Sequence, residues 1–439
     1  MKKVALVSLG CAKNLVDSEV MLGCLKKAGY SFVSRPREAD IVIVNTCGFI
    51  QPARDEAERA IRTALRLKQR DPRKKIVAAG CYVERDEAAL KERFPGVDAW
   101  TGVRSFDRIA GILAGRPAPR ADRAFLYSDA SPRLISTSGT WAYIKVSEGC
   151  SHRCGFCSIP LIKGPYVSRS AASIIREARV LAGLGIKEVN LISHDTTFYG
   201  RDRGVRNGLV KLIERLARLR GIEWLRFLYG YPEEITDPLL EIMTGDKVCR
   251  YLDIPFQHAD AGLVKAMKRS MDGARALDLL AKIRDRVPGV AVRTSLIVGF
   301  PGEGRKEFES LKRFVEKARF DHLGVFTYSP EKGTDSFARA ETVGPEEKEK
   351  RRAEIMTIQS GLSLARNKNY VGEVMDVLIE RRPVQGTRTL TGRTRFQAPE
   401  VDGRVLLRLP GGASPSLPPI VKAEITSAGP YDLRGRLKP

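Results

Sequence analysis

Over its first 115 or so residues the chain alternates short β-rich runs with amphipathic stretches. VALVSLG, DIVIVNTCG and KIVAAGC have the apolar, β-branched character of strands, and each precedes a helix-patterned segment, the first running through Val20 and Leu25. That order predicts a small open α/β sheet with parallel strands. The next stretch, GRPAPRADRAF and then SDASPRLISTSGT, lacks sustained periodicity, which predicts a linker or connecting hairpin and a first domain boundary.

From about 140 to 330 the alternation resumes with six candidate strands: AYIKVSEG, EVNLIS, WLRFLYG, YLDIPF, VRTSLIVGF and HLGVFTYS. The first five are each followed by a helix-patterned segment, such as SIIREARVLAGLG or LVKLIERLARL, at βαβ spacing. The pattern predicts an incomplete (β/α)6 barrel, two units short of eight, whose lateral opening suits a protein or RNA better than a small metabolite. Residues 345–370 read as a long charged helix. After it VMDVLIERR, LTGRTRF, RVLLRLP and VKAEITSAG predict a small antiparallel β-barrel of the oligonucleotide-binding class. The expected domains are 1–120, 136–367 and 368–439.

Composition narrows the function. No apolar run of about 18 residues is present and the N-terminus shows no small-residue cleavage site, so a cytoplasmic protein is expected, with no membrane partner. A formal charge of +23 favours an anionic partner such as RNA or a ribonucleoprotein. That charge is spread along the chain, however: residues 371–439 hold 11 basic and 7 acidic side chains. Four histidines, none spaced as a base beside a nucleophile, give no support to hydrolysis. Eight cysteines without a secretory signal point to metal ligation or redox chemistry rather than disulfides.

Six of those cysteines fall into two sets. Cys150, Cys154 and Cys157, in EGCSHRCGFCSIP, follow the first barrel strand, where such folds place active sites. A zinc knuckle with His152 as fourth ligand is the plain alternative. Against it, no second ligand pair follows at finger spacing, Phe156 precedes the last cysteine, and the loop opens a βα barrel. Three thiolates instead suit an iron-sulfur cluster with one iron left free for a cofactor. Cys11, Cys47 and Cys81 each end a strand of the first sheet, so parallel strands bring the three thiols to one edge. Cys24 and Cys249 have no partner at ligand spacing.

The CxxxCxxC spacing with an aromatic before the third cysteine resembles the radical S-adenosylmethionine superfamily. With both triads in view, the chain resembles the methylthiotransferases over essentially its full length, with a TRAM domain at its end. SLGCAKNLVDSE, NTCGFIQPARDEA, DTTFYG, YLDIPFQHA, VGFPGE and FTYSPEKGT resemble the branch that modifies an aspartate of small-subunit ribosomal protein twelve. The branch acting on tRNA adenosine more typically has Gln-Met-Asn where this chain has Ala12, Lys13 and Asn14. His194 departs from the branch, which usually carries Gln there, and its role is open.

The resemblance implies two 4Fe-4S clusters, one on Cys150, Cys154 and Cys157 that cleaves S-adenosylmethionine to a radical, and an auxiliary one on Cys11, Cys47 and Cys81 that carries sulfur. It also implies an electron donor such as flavodoxin or ferredoxin, and a TRAM domain that docks the ribosomal protein or contacts RNA. A radical fits the target, because a carboxylate disfavours a carbanion beside it, and cofactors carry such chemistry. Expected cofactor contacts are Phe156, Ser193, Asp195, Gln257, Arg293 and the turn from Ile297 through Gly299 to Gly302. For Gly299 and Gly302 a simple turn role, and for Arg293 an ordinary ion pair, are the alternatives. A non-catalytic, zinc-stabilised RNA-binding protein is the distant competing class.

Overall fold

The computed structural model describes residues 1–116, 121–381, 388–409 and 417–438, so residues 117–120 of the Pro- and Arg-containing stretch lie outside it. Five parallel strands, β1 (Lys3–Ser8), β2 (Ser31–Phe32), β3 (Ile41–Thr46), β4 (Lys75–Gly80) and β5 (Ala99–Thr101), form the first sheet in the order β2-β1-β3-β4-β5. The three runs read from the sequence are its centre; the edge strands are too short to leave a periodic signal. Every residue of β3 is buried, as a parallel strand covered on both faces requires. Val16, Val20 and Leu25 of α1 (Ala12–Lys27) pack on one face. Ala57 and Ile61 of α2 (Gln51–Arg70), with Val83 and Leu90 of α3 (Cys81–Arg93), pack on the other. A short helix, α4 (Ile109–Leu113), lies beside α1.

Residues 121–140 form no hairpin; they are a strap held by buried charge. The Arg133 guanidinium bonds Glu19 of α1 at 2.6 Å and Glu177 at 2.5 Å, and the Tyr127 hydroxyl donates to Glu177 at 3.1 Å. Gly23 of α1 allows the close approach, since a Cβ there would lie 2.3 Å from the Pro132 carbonyl carbon.

The barrel strands are those expected. After β6 (Trp141–Lys145) a two-stranded antiparallel ribbon, β7 (Ser147–Glu148) and β8 (Val167–Ser168), brackets the cysteine loop. β9 (Glu188–Ile192) and β10 (Trp224–Phe227) complete one parallel trio with β6; β11 (Tyr251–Asp253), β12 (Ala291–Val298) and β13 (His322–Thr327) form the other. A parallel bridge from Leu225 to Val248 joins them, and among the described residues β6 and β13 do not pair, leaving the barrel open at one side.

Alternation sorts the side chains. Ile144, Leu191, Phe227, Leu252 and Val292 face the outer helices, while Trp141, Tyr143, Trp224 and Tyr251 face inward. A short helix in the cysteine loop, α5 (Ile159–Lys163), lies against α3; the outer layer is α6 (Ala171–Gly183), α7 (Gly208–Ala217), α8 (Asp237–Ile242), α9 (Ala261–Ala266), α10 (Gly273–Arg286) and α11 (Arg305–Ala318), followed by the long α12 (Pro345–Lys368).

The last body is a closed five-stranded barrel, β14 (Val374–Arg381), β15 (Thr389–Arg393), β16 (Val405–Arg408), β17 (Ile420–Ala428) and β18 (Leu433–Leu437), ordered β14-β15-β16-β18-β17. It corrects the all-antiparallel expectation, because β16 pairs with β18 in parallel. β18 goes unread in the sequence because LRGRL alternates leucine and glycine with exposed arginine.

The turn after β15 closes the N-terminal end of the larger barrel. Every one of its six strands contributes a contact: Tyr143 to the Pro399 carbonyl (3.3 Å), Glu188 to Arg393 (2.6 Å), Arg226 to the Arg395 carbonyl (3.0 Å), Tyr251 and Arg293 to Asp402 (2.6 and 3.2 Å), and His322 to the Phe396 carbonyl (2.8 Å). Among the described residues no helix is long and apolar enough to cross a membrane.

Candidate functional site

The first thiol triad sits on the loop inside the ribbon. Gly149 turns the chain into it at φ 73°, where a Cβ would meet the Pro165 carbonyl oxygen at 2.1 Å. The loop is pinned by N–H donation from Cys150 to Gly164 (3.1 Å) and from Gly155 to Met267 (2.9 Å). Burial pushes the Cys150 thiol up to about 11 and the Cys157 thiol to about 12. Arg269 places Nη1 3.8 Å from the Cys154 sulfur and its guanidinium over Tyr231, 4.0 Å from the ring centroid.

His152 does not join the thiols. Its ring stacks on Tyr231 at 3.8 Å and its Nε2 lies 2.5 Å from Asp195. Among the described residues no three Cys, His, Asp or Glu side chains gather as they would around one ion. A zinc knuckle needs four ligands about one centre; a cluster spreads three thiolates over three irons.

The second triad lies where the sheet order predicts. β1, β3 and β4 are adjacent, and Cys11, Cys47 and Cys81 follow their C-terminal ends. Gly10, at φ 87°, lets β1 end against Cys47: a Cβ at residue 10 would be 2.7 Å from the Cys47 Cβ and 3.1 Å from its sulfur. Burial, and then Cys11, raises the Cys47 thiol to about 11. Burial also raises Cys81, which feels both Cys47 and Cys11. All of these cysteines are free. Two buried thiols in each triad, Cys47 and Cys81 in one and Cys150 and Cys157 in the other, are held protonated at neutral pH, and a thiophilic metal centre that replaces the protons completes such a donor set. Both triads fit iron-sulfur clusters on that ground.

The two loops face each other across the domain interface. Ser158, next to Cys157, donates to the carbonyl of Phe49, two residues past Cys47, at 3.2 Å. Gln51 donates its N–H to Ser329 at 3.1 Å, and Arg54 and Arg85 both reach Glu331, at 2.5 and 2.6 Å. Between the triads lies a buried charge cluster. Lys145 bonds Asp17 and, at 2.6 Å, Glu148; Lys163 bonds Asp17 at 3.0 Å and stands 3.5 Å from Glu148. Burial opposes charge on Glu148, but Lys145 and Lys163 outweigh it and hold the carboxyl well below its usual range. Burial and then Lys13 push His194 down to about 3, so it is neutral, and its Nδ1 has no hydrogen-bond partner.

The expected cofactor contacts divide. Ser193 is buried and bonded to Ser147, and it accepts the Asp195 N–H at 3.3 Å. Asp195 in turn holds His152 of the cysteine loop. Gln257, at φ 72°, accepts the Ile297 N–H at 2.7 Å, and Phe156 packs against the Ile297 cluster. Asp195 and Phe156 touch or belong to the first triad's loop, and Ser193, Ile297 and Gln257 connect to it through these two. Arg293 lies lower, held by Asp402 at 3.2 Å and 3.7 Å from Asp253, which is the ion-pair alternative. Gly299 and Gly302, at φ 72° and 95°, shape the turn, with Lys348 packed where a side chain at 299 would be.

Sequence reading missed Asp17, Lys145, Glu148 and Lys163, although a lysine inside the apolar run AYIKV was a signal of buried pairing. It also missed Phe326, which points inward from β13 and is 48% exposed at the open side of the barrel.

Residues 3–102 match an uncharacterized protein family, UPF0004, residues 144–315 the radical SAM superfamily, and residues 371–437 the TRAM domain. The radical S-adenosylmethionine methyltransferase TsrM from Kitasatospora setae, solved with cobalamin and a 4Fe-4S cluster bound, superposes with a TM-score of 0.55 at 16% identity over 76% of this chain and 77% of that one; what they share is the fold. Fold, matches and thiol loop together define the class: a radical SAM enzyme followed by a TRAM barrel. The chain is 41% identical to ribosomal protein uS12 methylthiotransferase RimO of Pelobacter propionicus, over 100% of this chain and 98% of that one. It is 42% identical to the same enzyme of Solibacter usitatus (99% and 94% covered) and 40% to that of Aquifex aeolicus (99% and 97%). The chain belongs to the ribosomal protein uS12 methylthiotransferase family.

Proposed function

We propose that the chain adds a methylthio group to the β-carbon of an aspartate in ribosomal protein uS12. The observation that carries this reading is the pair of thiol triads on facing loops, joined by the Ser158 to Phe49 hydrogen bond. The relatives are named for a ribosomal protein, so the tRNA alternative is not favoured.

In this reading Cys150, Cys154 and Cys157 hold one 4Fe-4S cluster and Cys11, Cys47 and Cys81 the other, with S-adenosylmethionine at the first. When bound, these groups supply one-electron chemistry, sulfur and the methyl group. The chain's own residues orient and enclose. Phe156, Ser193, Asp195, Gln257 and Ile297 line the cofactor pocket, with Gly299 and Gly302 shaping its wall, while Arg293, paired with Asp402, belongs to the barrel floor. Arg269 offsets the negative charge of the Cys154 side, and the Arg54–Glu331–Arg85 triad clamps the first domain over the chamber.

Domain limits of 1–120, 136–367 and 368–439 are supported by the three sets of strands. The basic TRAM barrel supports contact with RNA or the ribosomal protein, an electron donor such as flavodoxin or ferredoxin is required by the reduction step, and the cytoplasm is where a ribosomal substrate is found.

The test is iron and sulfide per chain after anaerobic reconstitution, with uS12 then assayed by mass. About eight iron, falling to about four in each triple Cys→Ala variant, and a methylthio gain on uS12 are expected. Four iron in the wild type, with one triple variant unchanged, removes the auxiliary cluster and the sulfur-insertion reading with it.

A further inference from the structure

Resting on that proposed reaction, we infer that Lys13 is the receptor for the side-chain carboxylate of the target aspartate, and so determines specificity for it.

The argument begins with charge. Lys13 is 6% exposed, on the first turn of α1 and two residues past Cys11. A buried ammonium is costly unless paired. Its neighbours obey that rule: Lys145 and Lys163 share Asp17 and Glu148, two cations with two anions. Lys13 makes no ion pair among the described residues; its Nζ lies over the ring of Tyr229, 3.2 Å from the centroid. Asp253 acts on Lys13 only from beyond ion-pair distance and is itself faced by Arg293 at 3.7 Å, so among the described residues no carboxylate sits against this ammonium.

Tyr229 is itself fixed for this task. It sits at φ 63°, costly for a non-glycine residue, and is held by its N–H to Asp253 at 3.1 Å and by its carbonyl, which accepts from Thr196 at 2.9 Å. An aromatic face steadies an ammonium without consuming its charge, leaving N–H donors for an incoming anion. His194, within electrostatic range of Lys13, adds a buried imidazole whose Nδ1 makes no hydrogen bond and stands 3.8 Å from Glu148.

The chemistry of the substrate supplies the anion. The carboxylate is the one group that distinguishes aspartate from its amide, and it is attached to the carbon that reacts. An ammonium beside Cys11 that grips it places the β-carbon on the side of the chamber where both thiol loops meet. Charge-assisted hydrogen bonds of this kind are short and directional.

The test compares reconstituted full-length wild type, Lys13→Met and Lys13→Arg. Each is mixed with uS12 and with uS12 whose modified aspartate is replaced by asparagine. Binding is read by fluorescence anisotropy, KM and kcat by mass spectrometry, and iron by analysis. Lys13→Met is expected to keep wild-type iron and to bind aspartate-bearing uS12 about 10–100-fold more weakly, the range of one charged hydrogen bond, while asparagine-bearing uS12 is bound as by wild type. Lys13→Arg is expected to recover most of the discrimination. Wild-type preference for aspartate in Lys13→Met overturns the inference, and so does loss of iron in both variants, which would make Lys13 a residue of the cluster site. Failure of the wild type to modify uS12 is a different result, and overturns the proposed function first.

Discussion

A single hydrogen decides whether the second triad can form. At φ 87° residue 10 is in the left-handed region, which costs a side-chain-bearing residue about 1–2 kcal/mol, and a methyl group there would collide with Cys47 at 2.7 Å. Gly10→Ala is therefore expected to lower iron per chain from about eight to about four while sparing the first cluster, as read by iron analysis of the reconstituted protein. A second residue-scale effect concerns acid. Glu188, buried between Arg226 (2.9 Å) and Arg393 (2.6 Å), is disfavoured by burial, but the two arginines outweigh it and hold its carboxyl below the ordinary 4.5. The unfolded chain then takes up the proton more readily, so the stabilisation is complete above that ordinary value and is lost as the pH falls below it. Thermal melts should show a shallower acid-side loss in Glu188→Gln, on a lower plateau at neutral pH.

At the scale of elements, what the sequence disclosed depended on periodicity. β3 and the first five barrel strands were legible because they are apolar runs followed by amphipathic helices, and the sixth as an apolar run of its own. So was the order that brings Cys11, Cys47 and Cys81 to one edge. β2, β5 and the β7–β8 ribbon were not, since two or three residues carry no period, and β18 hid behind its arginines. The strap over residues 121–140 was read as irregular, which it is; its order comes from Arg133, Glu19 and Glu177, distant in sequence. The turn after β15 was opaque for the same reason: its partners are inward side chains on six other strands. Replacing residues 394–402 with a Gly/Ser segment of equal length should lower Tm by several degrees and increase binding of an apolar dye, because Tyr143, Tyr251 and Trp224 lose their cover. Iron content should hold, the cysteines lying at the opposite end of the barrel.

Across the whole molecule, the three bodies are joined both by an apolar cluster that takes in Val20, Trp141 and Ala398 and by buried charge. Glu331, 1% exposed, receives both Arg54 and Arg85 from the first domain. Glu331→Ala leaves two guanidiniums without their anion, a loss of about 3–5 kcal/mol for a broken buried pair. The first domain, still held through Asp17 and Glu19, should then sit more loosely on the barrel, lowering Tm and lowering methylthio transfer more than iron binding.

The barrel's floor also has a consequence in time. The barrel strands, from β6 to β13, leave the ribosome before the residues that close their floor, and domains fold in the order in which they emerge. The residues that close the floor, Arg393 through Asp402, follow much later, after α12. Until they arrive, Glu188 has only one of its two arginines, Arg226, and Arg293 lacks Asp402 at the bottom of an unfinished vessel. A nascent chain is thus kept from reaching its sealed form until residues 393–402 have emerged, long after the strands they close.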